Sequence, residues 1–336
     1  MVESSLLLAQ LLYATSAGAL LVALALDCAG YILATPWREE SRSRRPKTEE
    51  EGRQLQDMSV IAICGEGRIA VSALRYIYHL LLASIVDARL VACPNYRDRG
   101  YDTWYPSLSK TAQTVGIDVV ELDSLAAEED LLLLSLEFRR IVKVNRFASK
   151  RLFNIHFSKL PKYRGVYTAT WPILNGETEA GVTLHVMDEG IDTGPIVDQR
   201  HFALPPQITA RSLYEMFMDE AFEIFKSNLM RLVSGEYRLT EQDDSEATYY
   251  AKDSIDFSQQ IKLDLSQPAS RVERTARAFY FPEYQLPTLD DRPIRACHIV
   301  HGRSSHEQPP GTEICNTSIG GIYVAGDASL VELVWA

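Results

Sequence analysis

Val60-Ile61-Ala62-Ile63-Cys64-Gly65-Glu66-Gly67 joins a short apolar run to a turn with two glycines, and the residues that follow, to about position 85, carry apolar side chains at helical spacing. Strand, turn and helix in that order open a βα unit, which implies a sheet whose strands return in the same direction. The two glycines invite comparison with a dinucleotide fingerprint, but the third glycine is missing and no acidic ribose ligand is well placed, so the segment is read as a tight turn into a helix. Working outward, residues 88–92 read as a second strand, 107–115 as a helix and 117–122 as a third strand. Residues 131–136 and 152–157 are further apolar runs of strand length. The alternation predicts an α/β fold built on a Rossmann-like open, mostly parallel sheet, with ligands beyond the carboxyl ends of the strands. Residues 181–187 alternate as a strand, Asp188-Glu189-Gly190 makes a turn, and residues 210–232 form an amphipathic helix with Leu213, Met216, Phe217, Ala221, Ile224 and Phe225 on one face.

Beyond Gly235 the composition changes. Residues 241–246 are acidic, and residues 248–336 are richer in short strand-like pieces and turns. The sequence therefore predicts a catalytic-sized domain over residues 58–247 and a small C-terminal β-rich domain over residues 248–336.

The first 57 residues form a separate N-terminal extension. Residues 4–26 carry no charge, Asp27 interrupts, and residues 28–37 are again uncharged, a length that could span a bilayer. Arg38, Arg42, Arg44, Arg45 and Lys47 follow, which would leave the C-terminal bulk in the cytoplasm if residues 4–37 were an anchor. The other reading makes Met58 a natural initiator and everything before it an extension or a miscalled start. Both stay open on the sequence, and residues 39–57 are a charged linker under either.

With 45 Asp and Glu against 34 Lys and Arg, the formal net charge is −11, which repels a polyanion at long range and argues against a nucleic-acid substrate. Local basic side chains can still hold a small phosphate ligand. Five scattered cysteines, with no C-x-x-C pair, read as reduced thiols of a cytoplasmic protein.

The chemistry concentrates in Asn154-Ile155-His156-Phe157-Ser158-Lys159-Leu160-Pro161 and in His185-Val186-Met187-Asp188-Glu189-Gly190-Ile191-Asp192-Thr193-Gly194. An amide can donate to a developing oxyanion, an imidazole can manage an amine's proton, and a carboxylate can orient that imidazole. Asn154, His156 and Asp192 are thus equipment for acyl transfer without a covalent nucleophile. His185 reads as support for the loop or core. The spacing of His156, His185, Asp188 and Asp192 matches no metal-ligand pattern, so no metal is expected.

These two segments, with Tyr163-Arg164-Gly165, Asn175-Gly176-Glu177 and Gly190-Ile191-Asp192-Thr193-Gly194-Pro195-Ile196, resemble the 10-formyltetrahydrofolate-dependent formyltransferases. The likeness covers residues 59–232 and is densest over residues 153–199. It implies the formyltransferase fold, catalytic roles for Asn154, His156 and Asp192, and 10-formyltetrahydrofolate as donor. Its pterin is expected near Ser135, Leu136, Glu137 and Phe138 and near the turn residues Met187, Asp188, Gly190 and Ile191.

Within the family, residues 95–104, 162–168 and 277–287 resemble the sugar N-formyltransferases that act on nucleotide-linked amino sugars. Lys159, Lys162, Tyr167 and Trp104 are the expected substrate contacts. Lys159 stands where the tRNA branch commonly has Leu. The resemblance also suggests a homodimer. The alternatives are a methionyl-tRNA formyltransferase and a non-catalytic folate- or nucleotide-binding module.

Overall fold

The computed structural model describes residues 59–301 and 308–336. The apolar residues 4–37 and the charged linker lie outside them, and with them the choice between anchor and extension. Among the described residues no helix is long and apolar enough to cross a membrane.

Strands β1 (Val60–Gly65), β2 (Arg89–Pro94), β3 (Asp118–Val119), β4 (Leu131–Leu136) and β5 (Arg151–His156) run parallel in the order β3-β2-β1-β4-β5. A short strand, β6 (Arg164–Gly165), leaves this sheet. The chain then re-enters as β7 (Glu179–Val186) and β8 (Ile196–Ala203), both antiparallel to their neighbours on the β5 edge. The sheet is the expected open, mostly parallel one, closed on one side by a hairpin whose second strand the sequence did not announce. Residues 196–203 are only half-buried and mixed in polarity, so no clean alternation marks them.

β1 and β4 are buried along their whole length, which is why they read as unbroken apolar runs. One sheet face packs Ile61, Ile63, Leu132, Leu134, Phe153 and Ile155 beneath helices α1 (Gly67–Leu82) and, later in the chain, the long helix over Ala210–Ser234. The opposite face packs Val60, Ala62, Cys64, Leu131, Leu133 and Leu152 against Leu122, Leu125 and Phe147. Helix α2 (Leu108–Thr114) starts where the Ser107 hydroxyl accepts the Lys110 N–H. The expected third strand over residues 117–122 shrinks to Asp118–Val119. Both are exposed at the sheet edge, and the chain then bends into a 3-10 turn that buries Leu122 and Leu125.

Helix α3 (Trp171–Asn175) precedes the hairpin, and α4 (Ala210–Ser234) follows it, capped by Thr209 at one end and by left-handed Gly235 at the other. Of its predicted inner face, Leu213, Phe217, Ala221, Ile224 and Phe225 are buried, with Met216 only partly so. The chain after α4 stays on the larger sheet's side: Thr240 bridges to Ile196, and β9 (Tyr249–Tyr250) pairs in parallel with β6.

Helix α5 (Ala269–Ala278) then packs Val272 and Ala276 on a second, antiparallel sheet ordered β10-β11-β14-β13-β12. Its strands are β10 (Thr288–Leu289), β11 (Arg292–Val300), β12 (Glu313–Asn316), β13 (Gly320–Val324) and β14 (Leu330–Trp335). Arg271 and Arg277 of α5 donate to the carbonyls of Leu174 and Ile208, tying this part to the larger sheet.

Candidate active site

Strand register builds the site. Ser135 on β4 lies opposite Asn154 on β5, and Asn154 lies opposite His185 on β7, so three polar side chains form one row across three strands. His156, two residues after Asn154, shares its face and lies opposite Thr183. This row occupies the carboxyl end of β5, where an open parallel sheet presents its ligands.

Asn154 is held on every polar atom. Its Oδ1 accepts from Ser135 Oγ at 2.8 Å, and its Nδ2 lies 3.1 Å from His185 Nε2 and 3.4 Å from Asp192 Oδ1. Nδ1 of His185 faces the Val186 carbonyl at 2.9 Å and so carries a proton, while Nε2 lies between the Asn154 amide and the Asp192 carboxylate. His156, 8% exposed, faces the Tyr163 carbonyl with Nε2 at 2.8 Å and Asp192 Oδ2 with Nδ1 at 3.5 Å.

Asp192 is the hub. It sits in the turn after β7 with φ 57°, a left-handed conformation that aims its carboxylate back at β5. It lies 3.5 Å from His156 Nδ1 and 3.6 Å from His185 Nε2, and it accepts from Asn154 Nδ2 and from the Gly165 N–H at 2.9 Å. Burial pushes its carboxyl pKa upward, but the charges of His156 and His185 and the Gly165 N–H outweigh it and hold the group well below the usual carboxylate range.

A second layer fixes the turn. Gln242 donates to the carbonyls of Asp192 and Gly194, while its own oxygen accepts from Arg164, which also pairs with Asp244 at 2.7 Å. Asp188 spends its carboxylate on Gly190 N–H and Thr193 Oγ1 within the turn.

The residues expected near a pterin divide. Phe138 and Met187 are partly buried against the core on the sheet face that carries the row. Ile191 is 42% exposed at the turn. Ser135 spends its hydroxyl on Asn154, and Leu136 points into the core under α1 and α4. Glu137, with φ 58°, turns to the other side of the strand ends, where its Oε2 accepts from Tyr214 at 2.7 Å. Burial there pushes its carboxyl up to about 8, against the pull of the Tyr214 hydroxyl. Nearby, Asn95 bridges the Glu137 carbonyl and the Arg139 N–H, and Arg139 pairs with buried Glu66 at 2.5 Å.

The four expected substrate contacts have separate surroundings. Lys159 pairs with Glu179, and Lys162 is exposed. Tyr167 donates to the Lys252 carbonyl at 3.0 Å and meets Phe257 edge-on. Trp104 packs among Tyr105, Tyr214, Phe281 and Tyr284, with Arg211 over its ring. Among the described residues no group of side chains is suited to hold a metal.

The sequence reading gave His185 only a supporting role and missed Gln242. It is the pairing of β5 with β7 that puts His185 level with Asn154. Gln242 lies fifty residues from Asp192 and carries no local signal.

Residues 124–229 match a family model described as formyl transferase. The chain is 30% identical over 284 residues to a methionyl-tRNA formyltransferase of Myxococcus xanthus, covering 81% of this chain and 88% of that protein. A second methionyl-tRNA formyltransferase, from Sorangium cellulosum, is 29% identical over 271 residues, 76% of this chain and 86% of the other. Among solved structures, a sugar 3N-formyl transferase in the presence of dTDP and 5-N-formyl-THF superposes with a TM-score of 0.75 at 34% identity, covering 83% of this chain and 98% of its own. The N-formyltransferase from Helicobacter canadensis in complex with folinic acid and dTDP-3-aminofucose gives 0.74 at 32% identity, with 83% and 100% covered.

Proposed function

The chain belongs to the formyltransferase family, and from that premise we propose that it transfers the formyl group of 10-formyltetrahydrofolate to the free amine of a nucleotide-linked amino-deoxy sugar. The observation that carries the reading is the convergence of Asn154, His156 and His185 on the single carboxylate of Asp192.

The donor supplies the activated formyl carbon; the protein supplies position and charge. Phe138 and Met187 fit the flat face of a pterin, and the exposed backbone of the turn at Gly190 and Ile191 fits its hydrogen-bonding edge. The Asn154 amide exchanges its long 3.4 Å contact with Asp192 for the acyl oxygen as negative charge builds there, and His156 takes the proton shed by the attacking amine, a proton that passes to N10 of the donor as the bond between N10 and the formyl carbon breaks. Asp192 orients His156 and balances its charge. Trp104 and Tyr167 are the acceptor contacts that this reading keeps foremost.

A sugar acceptor is supported by the two similar solved enzymes, which align over 98% and 100% of their lengths, one solved in the presence of dTDP and the other with dTDP-3-aminofucose. The net charge of −11 points the same way, since a tRNA acceptor arm calls for a basic groove. The names of the sequence relatives favour a second reading, a methionyl-tRNA formyltransferase.

A panel of purified amino-sugar nucleotides with the formyl donor, read by the mass gain of one formyl group, tests the first reading. Filter binding of initiator tRNA tests the second. A formyl product on an amino-sugar nucleotide and no salt-sensitive tRNA complex is expected; tRNA formylation with no sugar product would replace the first reading by the second.

A further inference from the structure

We propose that Glu177 and Tyr163 are positioning residues for His156: the Glu177 carboxylate clamps the Tyr163 ring, and the Tyr163 carbonyl thereby fixes the orientation and tautomer of the imidazole. The inference rests on the catalytic reading of His156 and adds to it the Asn175-Gly176-Glu177 segment, which the reaction as described leaves idle.

Tyr163 has a backbone φ of 62°, in the left-handed region that large side chains seldom adopt. Such a residue persists where its surroundings over-determine it, and every polar group of Tyr163 is engaged. Its N–H donates to Thr248 Oγ1 at 2.7 Å, its hydroxyl donates to Glu177 Oε1 at 2.6 Å, and its carbonyl faces His156 Nε2 at 2.8 Å. Asn175 Nδ2 donates to the same hydroxyl at 3.2 Å, and the buried ring lies nearly parallel to that of Tyr250, at 5.8 Å and 11°. Burial and the bond to Glu177 push the hydroxyl's pKa upward, which keeps it a donor. Glu177 is itself anchored by backbone. Helix α3 ends at left-handed Gly176, and the Glu177 N–H closes back on the Pro172 carbonyl at 2.9 Å. A helix end therefore delivers the carboxylate to the phenol.

The consequence falls on the imidazole. A carbonyl can only accept, so Nε2 of His156 carries a proton, and Nδ1, 3.5 Å from Asp192 Oδ2, is left as the nitrogen that gains one in proton transfer. Once the carbonyl loses its fixed place, the ring proton has a better acceptor in the Asp192 carboxylate. The imidazole then settles as the Nδ1–H tautomer bonded to that acid, and the nitrogen able to take a proton is the wrong one. Glu177 governs the proton-transfer step through a phenol and a peptide carbonyl.

Steady-state kinetics of full-length Glu177→Ala and Tyr163→Phe, with NMR of the histidine ring nitrogens, test this; the His156 signal is assigned by its absence from His156→Ala. Each variant should lower kcat by about ten- to a hundredfold, with donor and acceptor KM unchanged. The double variant should be no slower than the slower single one, because both delete the same bond. Glu177→Gln keeps an acceptor oxygen and should recover most of the rate. The wild-type ring should carry its proton on Nε2, and Glu177→Ala should move it to Nδ1 and displace the acid limb of the kcat profile. Thermal unfolding is recorded for every variant, and if Glu177→Ala does not fold, Tyr163→Phe carries the same readouts. A wild-type kcat in folded Glu177→Ala, or a slower enzyme whose His156 tautomer and pH profile match the wild type, overturns the positioning role and leaves the formyl-transfer reading standing. Normal turnover in folded His156→Ala overturns both.

Discussion

Nδ1 of His156 stands 3.5 Å from Oδ2 of Asp192, while the other ring nitrogen is committed to the Tyr163 carbonyl. The imidazole is therefore held from both ends, one fixed by backbone and the other by a carboxylate that also accepts from Gly165. Such a ring cannot swing to find substrate; the substrate must come to it.

Removing the groups proposed to touch the reacting atoms should abolish turnover without unfolding the protein. Asn154→Ala and His156→Ala are each expected to lower kcat by ~10²–10³, the usual cost of one preorganised donor. Steady-state kinetics alongside a denaturation curve checks this; a folded His156→Ala enzyme with normal kcat contradicts the assignment.

Asp192→Asn keeps the shape and removes the charge. Since the Asp192 carboxyl is held below its ordinary value, it contributes stability that is fully present above the unfolded-state pKa of about 4 and is lost as pH falls through the lowered folded-state value. The stability gap between wild type and Asp192→Asn should therefore be widest near neutrality and shrink in acid, as read by urea midpoints from pH 3 to pH 7. Activity should fall by ~10²–10⁴ at neutral pH.

Glu137 has the opposite sign. Its folded-state pKa is raised to about 8 by burial, so the native state retains a proton that the unfolded chain releases above about pH 4.3. Stability from this group declines as pH rises from there through about 8 and is lowest above it. Glu137→Gln should flatten that decline and stabilise the protein by about 1–3 kcal/mol at pH 8.5, measured against the wild type by chemical denaturation. Equal slopes for the two proteins would exclude a protonated Glu137 at neutrality.

Gly165 is required twice, by its φ of 94° and by the Tyr250 carbonyl oxygen, which would lie 2.2 Å from an added Cβ. Gly165→Ala should separate β6 from β9 and pull the N–H from Asp192. The expected cost is about 2–4 kcal/mol, with a fall in kcat larger than the stability loss alone explains. Thermal unfolding and kinetics on the same preparation check both parts.

The parallel half of the large sheet was legible because Val60, Ile61 and Ile63, and likewise Leu131 to Leu134, are buried on both faces and leave an unbroken apolar signature. The Asn154 and His156 pair was legible from its motif. His185 was not, because a lone imidazole on a strand says nothing about what lies across from it until the pairing of β5 with β7 is known. The direction of the Glu137 side chain was not legible for a related reason: its positive φ turns the side chain away from the face that Ser135 occupies, and no residue type announces that twist. Residues 117–122 looked like a strand since Ile117, Val119 and Leu122 are apolar, but burial of Leu122 in the opposite core wins over further pairing at an exposed edge.

In β7, Thr183 and His185 lie on the face of Asn154 and His156 while Val182 and Leu184 sit in the core beneath α4. Sliding this strand by one residue would put hydrocarbon into the reaction centre and an imidazole among leucines. Hydrophobic packing thereby proofreads the chemistry: a molecule that has buried its hairpin correctly has also aligned its histidine, and a misthreaded one is betrayed by poor solubility before it can be mistaken for a slow enzyme.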